Sequence, residues 1–126
     1  MTERTTKIPG PDHPITITPN PAHIVVTLAG KTVADTRRAL TLQEASYPPV
    51  QYIPLADVDP QLLADSDHKT WCPYKGEASY YSLPIGGDRS VNAIWIYREP
   101  HDAVSVIKDH VAFYPDRIDA IDILPA

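Results

Sequence analysis

Residues 22–36, AHIVVTLAGKTVADT, contain the strongest secondary-structure signal in the chain. Ile24, Val26 and Leu28 fall on one face of an extended segment and the residues between them fall on the other. This alternation is the period-two pattern of a half-buried β-strand. Gly30 then supplies a turn, because glycine adopts positive φ without steric cost. The stretch therefore predicts a β-hairpin whose second strand covers residues 32–36.

Working outward from this hairpin, the same reasoning predicts short strands along the rest of the chain. They cover residues 38–44, 50–53, 78–85, 91–98, 111–114 and 120–124. The segment 91–98 is apolar on both faces, which indicates a strand buried on both sides or central in its sheet. Residues 66–74 are interpreted as a polar loop, and the Gly-Gly-Asp sequence at 86–88 as a hairpin turn.

Helical signals are short and few. Asp59 is a predicted N-cap with Pro60 as the first helical residue, so one helix of about a turn is expected at 61–64. A second short helix is expected between residues 99 and 108. The chain contains 14 prolines, which disfavour long helices, and it has no room for crossover helices of about a dozen residues. We therefore expect a mainly β fold, a single compact antiparallel sandwich or barrel-like arrangement of short strands.

Length and charge narrow the class of protein. A chain of 126 residues is enough for one domain; we expect an N-terminal arm at 1–14 and a single β-rich domain at 15–126. The net charge of −5 argues against general binding of nucleic acid. We find neither an apolar run long enough to cross a bilayer nor a signal-peptide pattern, so a cytoplasmic location and no membrane partner are expected.

Several segments together resemble a known family. They are residues 33–36 with 38–44, the Tyr-Ile-Pro at 52–54, the stretch 70–81 (TWCPYKGEASYY), and residues 93–97 and 111–114. This ordered set is similar to the family carrying domain of unknown function 427, which some resources label nucleotidyltransferase-like. The resemblance covers nearly all of residues 13–124, and its most specific part is residues 72–81.

The resemblance implies a compact fold of the β-tent kind, related in shape to the Mss4-like group. Members of that broader group can hold zinc through paired cysteines. Because Cys72 is the only cysteine, zinc does not carry over, and we expect no metal and no cofactor. The family brings no agreed catalytic residues. The Asp-Val-Asp at 57–59 is interpreted as a turn and N-cap rather than as a transferase metal site.

Cys72 and Lys75 are the first candidates for chemistry. A cation three residues from a thiol can favour the thiolate and so produce a nucleophile. The alternative is that Cys72 is a packing residue and Lys75 a solvated turn residue.

Arg38 and Glu44 are the second pair of candidates. They share a predicted strand face with two leucines, so either the strand ends emerge into solvent or the charges line a cavity. In a cavity, Glu44 is a candidate general base and Arg38 a candidate anion-binding residue.

Aromatic residues supply the third set of candidates. The aromatics most relevant to a ligand pocket are Tyr52, Trp71, Tyr80 and Trp95, although ordinary core packing is the alternative. His13 is a candidate for closing over a pocket from the arm.

The sequence therefore predicts a small-molecule-binding protein with a pocket around Cys72, Lys75 and Glu44, and it leaves open whether a reaction is catalysed. The competing hypothesis is a non-catalytic protein-interaction module.

Overall fold

A computed structural model describes residues 4–125, and its fold is mainly β, as predicted. Ten strands lie within these residues. They are β1 (Ile15–Asn20), β2 (His23–Leu28), β3 (Lys31–Thr36), β4 (Ala39–Glu44), β5 (Val50–Pro54), β6 (Ala64–Cys72), β7 (Gly76–Ser82), β8 (Ile94–Ile96), β9 (His110–Phe113) and β10 (Ala120–Leu124). Short 3-10 helices link them, at Leu55–Asp57, Pro60–Leu62, Pro84–Ser90, Asp102–Ile107 and Pro115–Arg117.

The strands form two antiparallel sheets rather than a closed barrel. The large sheet has the order β1-β4-β5-β9-β8-β7-β6, and the small sheet has the order β10-β2-β3. The predicted hairpin at 22–36 is confirmed as β2 and β3, with a register shift after Val26. The predicted strands at 50–53, 111–114 and 120–124 are likewise present, each within a residue or two of its expected bounds.

The large sheet is covered on both faces. One hydrophobic cluster, which includes Ile24, Val26 and Ile94, packs on the face toward the small sheet. A second cluster on the opposite face includes Tyr52 and Tyr97. Strand β8 contributes to both, because Ile94 and Ile96 join the first cluster while Trp95 packs against the second. This arrangement explains why residues 91–98 are apolar on both faces, although β8 is shorter than the strand predicted there.

Both edge strands of the large sheet differ from the sequence-based expectations. Residues 66–74, interpreted as a loop, lie largely in β6, which pairs with β7. Strand β1 was not predicted at all, and it contains Pro19. An edge strand has one unpaired side, so it tolerates proline and polar side chains that a central strand excludes. The polar residues of β6 and the proline of β1 are therefore consistent with sheet edges rather than loops.

Two further expectations are corrected. Residues 86–88 were predicted to be a hairpin turn. The strands on either side, β7 and β8, are antiparallel neighbours, but residues 86–88 lie inside the 3-10 segment Pro84–Ser90. The predicted helix at 61–64 is only the 3-10 turn Pro60–Leu62, although Asp59 does cap it by accepting from the Gln61 amide at 3.0 Å. No helix within residues 4–125 is long and apolar enough to cross a membrane.

The N-terminal segment lies against the folded chain from Arg4 onward. The Lys7 amide donates to the Pro73 carbonyl at 2.8 Å, and the Trp71 indole donates to the Thr5 carbonyl at 3.0 Å. Through these contacts the arm packs against the end of β6 and the turn that joins β6 and β7. Residues 1–3 of the expected arm and residue 126 of the expected domain lie outside the described residues.

Candidate functional site

A cavity of about 290 Å³ opens on the face of the large sheet away from the small sheet. Its lining combines aromatic side chains with one acidic and one basic residue. These residues are Leu42, Glu44, Tyr47, Pro48, Val50, Tyr52, Thr70, Lys75, Tyr80, Trp95, Tyr97 and Tyr114. Strands β4, β5, β7 and β8 contribute residues from one face, since alternate residues of a strand share a face.

The charged part of the lining is an ion pair between Glu44 and Lys75. Glu44 ends β4, and Lys75 lies in the turn between β6 and β7. The Lys75 ammonium donates to Glu44 Oε1 at 2.5 Å. The side chains are only 9% and 16% exposed, so water screens this pair much less than a surface pair. Each charge therefore depends on the other for its compensation.

His13 is the second partner of Glu44. Its Nε2 lies 2.7 Å from Glu44 Oε2, and its ring stacks on Tyr74 with centroids 4.0 Å apart. Partial burial raises the pKa of Glu44, but the hydrogen bonds from Lys75 and His13 outweigh it and leave the pKa below its ordinary value. Glu44 is therefore held as a carboxylate, with one oxygen directed to each partner.

Cys72 lies beside this pair but does not line the cavity. The Lys75 ammonium donates to Cys72 Sγ at 3.6 Å, and the partly buried cysteine packs against the second hydrophobic cluster. Lys75 is one of the residues that line the cavity, and Cys72 is not. A ligand in the cavity would therefore meet the amine before the sulfur.

The aromatic walls are tied together by hydrogen bonds and ring contacts. The Trp95 indole donates to the Tyr52 hydroxyl at 3.1 Å, and the Trp95 ring packs on Tyr114 with centroids 4.6 Å apart. The Tyr80 hydroxyl lies 2.8 Å from Thr70 Oγ1 and 3.5 Å from the Tyr114 hydroxyl. Burial and the Tyr80 hydroxyl raise the pKa of Tyr114 to about 12, so this wall is uncharged near neutral pH.

Two polar groups in the lining retain unused hydrogen-bonding capacity. Tyr97 is only 7% exposed, and its hydroxyl makes no hydrogen bond with any other of residues 4–125. Burial raises the pKa of Tyr97, so the hydroxyl keeps its proton. The Lys75 ammonium has three donors, of which Glu44 and Cys72 occupy two. Both groups line the cavity, so each can donate to an acceptor atom of a molecule bound there.

Two predicted site residues lie elsewhere. Arg38 lies just before β4 and forms an ion pair with Asp57 at 2.9 Å, with its own side chain 67% exposed. Trp71 points to the opposite face of β6 from Thr70 and lines a separate cavity of about 470 Å³ with His101. Because residues 66–74 were interpreted as a loop, strand alternation was not applied to them. That alternation places Trp71 on the opposite face of β6 from Thr70 and Cys72.

Tyr47 and Tyr114 line the cavity but were not among the predicted site residues. Tyr114 follows β9 at the position that shares a face with Ala112, so strand alternation could have identified it. Tyr47 lies in the turn between β4 and β5, where periodicity gives no signal. Within residues 4–125, no three metal-ligating side chains are grouped to hold a metal ion.

Comparison with known proteins adds one finding. A family model with the description domain of unknown function (DUF427) matches residues 16–123. This range includes every predicted site residue and both sheets, but it begins after His13. No curated protein matches the chain.

Proposed function

The chain belongs to the family described as domain of unknown function (DUF427), and from that premise we propose that it binds a small planar molecule in the cavity beside Lys75. One observation carries the proposal: an aromatic-lined cavity in which a buried, paired lysine and the unpartnered Tyr97 hydroxyl both have donors to offer. Ligand sites typically combine apolar walls with a few such polar groups. The volume of about 290 Å³ suits a molecule of roughly one ring.

The polar groups favour a ligand that carries a carbonyl or carboxylate. Lys75 and Tyr97 donate to its oxygen atoms, while Tyr52, Trp95 and Tyr114 pack against the ring. Glu44 orients the Lys75 side chain by accepting a hydrogen bond from it. A nucleophilic role for Cys72 has less support, because Cys72 is not among the residues that line the cavity. A concave, charged cavity also favours ligand binding over the flat apolar surface that an interaction module would present.

The proposal can be tested with benzoate as the probe and Trp95 fluorescence as the signal. The chain has two tryptophans, so Trp71→Phe leaves Trp95 as the sole indole without altering the cavity. We expect saturable quenching of Trp95 as benzoate is added. Lys75→Met should weaken binding at least tenfold, since a charge-assisted hydrogen bond is worth about 1.5 to 3 kcal/mol.

Lys69→Met is the matched control, because Lys69 bonds Ser79 in the other cavity. It should bind benzoate as the parent does. Quenching that does not saturate, or that is equally strong in Lys75→Met, would overturn the proposal. Benzyltrimethylammonium, a cation of similar shape, should bind more weakly than benzoate.

A further inference from the structure

The large sheet divides beside the cavity. Strands β5 and β9 pair only at Ile53 with Val111 and at Pro54 with His110. Continuing that antiparallel register would bring Gln51 opposite Phe113, but these residues are not paired. The two strands therefore separate toward the start of β5, and the sheet has a cleft where a continuous ladder would otherwise close it.

A groove of about 770 Å³ occupies this cleft and continues toward the small sheet. It shares four lining residues with the cavity. These residues are Tyr47, Pro48, Val50 and Trp95. The groove and the cavity therefore adjoin at the turn between β4 and β5, and Trp95 contributes to both.

The two spaces differ in chemistry. The groove is lined mostly by apolar residues from β5, β9 and β10, including Ile53, Phe113 and Ile121. Asp119 is the single charged residue in its lining, among those the structure describes, and it forms an ion pair with Arg89 at 2.7 Å. Ile123 is 53% exposed on the groove. The buried ion pair and the free donors, by contrast, all lie at the cavity end.

We propose that the ligand is an amphiphile: an aromatic acid or ketone whose ring occupies the cavity and whose aliphatic tail follows the groove. This inference rests on the proposed function and specifies its ligand class. The polar head meets Lys75 and Tyr97, and the tail leaves past Tyr47, Pro48 and Trp95. The tail would cover apolar surface along the groove, and removing that surface from water favours binding.

A series of 4-alkylbenzoates with methyl, butyl, hexyl and octyl tails tests the proposal, at concentrations below micelle formation. The Kd for the wild-type chain should fall by about two- to fourfold for each methylene that the groove buries. Ile123→Glu should weaken 4-octylbenzoate at least tenfold and leave 4-methylbenzoate unchanged. Leu124→Glu is the matched control, since Leu124 is similarly exposed at 47% and lies on the other face of β10.

The outcomes separate this inference from the proposed function. If 4-methylbenzoate binds and the Kd stays constant along the series, the tail site is wrong and the cavity proposal stands. A chain-length dependence that persists unchanged in Ile123→Glu would also overturn the inference, because the tail would lie elsewhere. If no member binds, both proposals fail.

Discussion

Individual residues acquire their roles in this protein from partners that are remote in sequence. Glu44 and Lys75 are 31 positions apart, yet their side chains form the charged wall of the cavity. The sequence indicated that Glu44 would either reach solvent or line a cavity, because it shares a strand face with leucines. The cavity alternative is the one observed for Glu44, whereas Arg38 emerges into solvent.

The Glu44 ion pair makes stability depend on pH. The pKa of Glu44 is lower in the folded protein than in the unfolded chain, because the hydrogen bonds from Lys75 and His13 outweigh its desolvation. The pair therefore stabilises the fold fully above the ordinary carboxyl pKa, and this stabilisation is lost as pH falls through the folded pKa. Glu44→Gln should lower the free energy of unfolding by about 2 kcal/mol at pH 7 and by progressively less as the pH falls below the ordinary carboxyl pKa.

Urea unfolding of both proteins across this pH range measures the difference. Glu77→Gln is the control, since Glu77 pairs with Arg4 at the surface and exposed pairs contribute little. A Glu44→Gln deficit that is equally large at pH 3 would show that packing, rather than charge, causes it.

At the scale of elements, strands with apolar residues at core positions were easier to predict than the two edge strands of the large sheet. β2, β3 and β9 have apolar residues at positions that the core requires, so their side chains reveal them. β1 and β6 are held by backbone hydrogen bonds on one side only. β6 is largely polar, and the Ile-Thr alternation of β1 covers only four residues before Pro19. The turn between β6 and β7 is a further element whose role depends on backbone geometry, because it positions Lys75.

Gly76 is the residue that this turn requires. Its φ is +114°, and an added Cβ would meet the Glu99 carbonyl and the His101 ring at 3.4 Å. Gly76→Ala should therefore destabilise the fold by about 1 to 3 kcal/mol and weaken benzoate binding by displacing Lys75. Thermal unfolding and the Trp95 titration measure the two effects.

Gly30→Ala separates backbone strain from damage to the site. Gly30 has a φ of +76° in the hairpin between β2 and β3, with open space around it. This variant should lose stability and bind benzoate normally. Equal binding by Gly76→Ala and the parent would contradict the role given to the turn.

At the scale of the whole molecule, the N-terminal arm packs against several parts of the large sheet. Residues 4–13 contact the β6–β7 turn and Glu44, which are remote in sequence from the arm. Residues 1–14 are polar and have no periodicity, so the sequence predicted only an arm there. Its contacts are backbone hydrogen bonds, an ion pair and a ring stack, none of which requires a periodic sequence.

Removal of residues 1–9 should expose Trp71, because its indole donates to the Thr5 carbonyl and Arg4 lies over its ring. In a Trp95→Phe background, the Trp71 emission should shift to longer wavelength, and the free energy of unfolding should fall by about 1 kcal/mol. Full-length Lys7→Gln is the control, since it keeps the backbone bond to Pro73. Unchanged emission after truncation would show that the arm does not cover Trp71.

The amino-acid sequence alone determined the mainly β class and the hairpin of β2 and β3. Its site candidates included Cys72, which does not line the cavity, and five residues that do: Glu44, Lys75, Tyr52, Tyr80 and Trp95. Periodicity supports such conclusions because it reports which residues share a face of one strand. Only the tertiary structure decided which strands are neighbours. The order β4-β5-β9-β8-β7 brings those five residues to one cavity and leaves Arg38 and Trp71 outside it. Strand order follows from the packing of the whole chain, so no local pattern contains it.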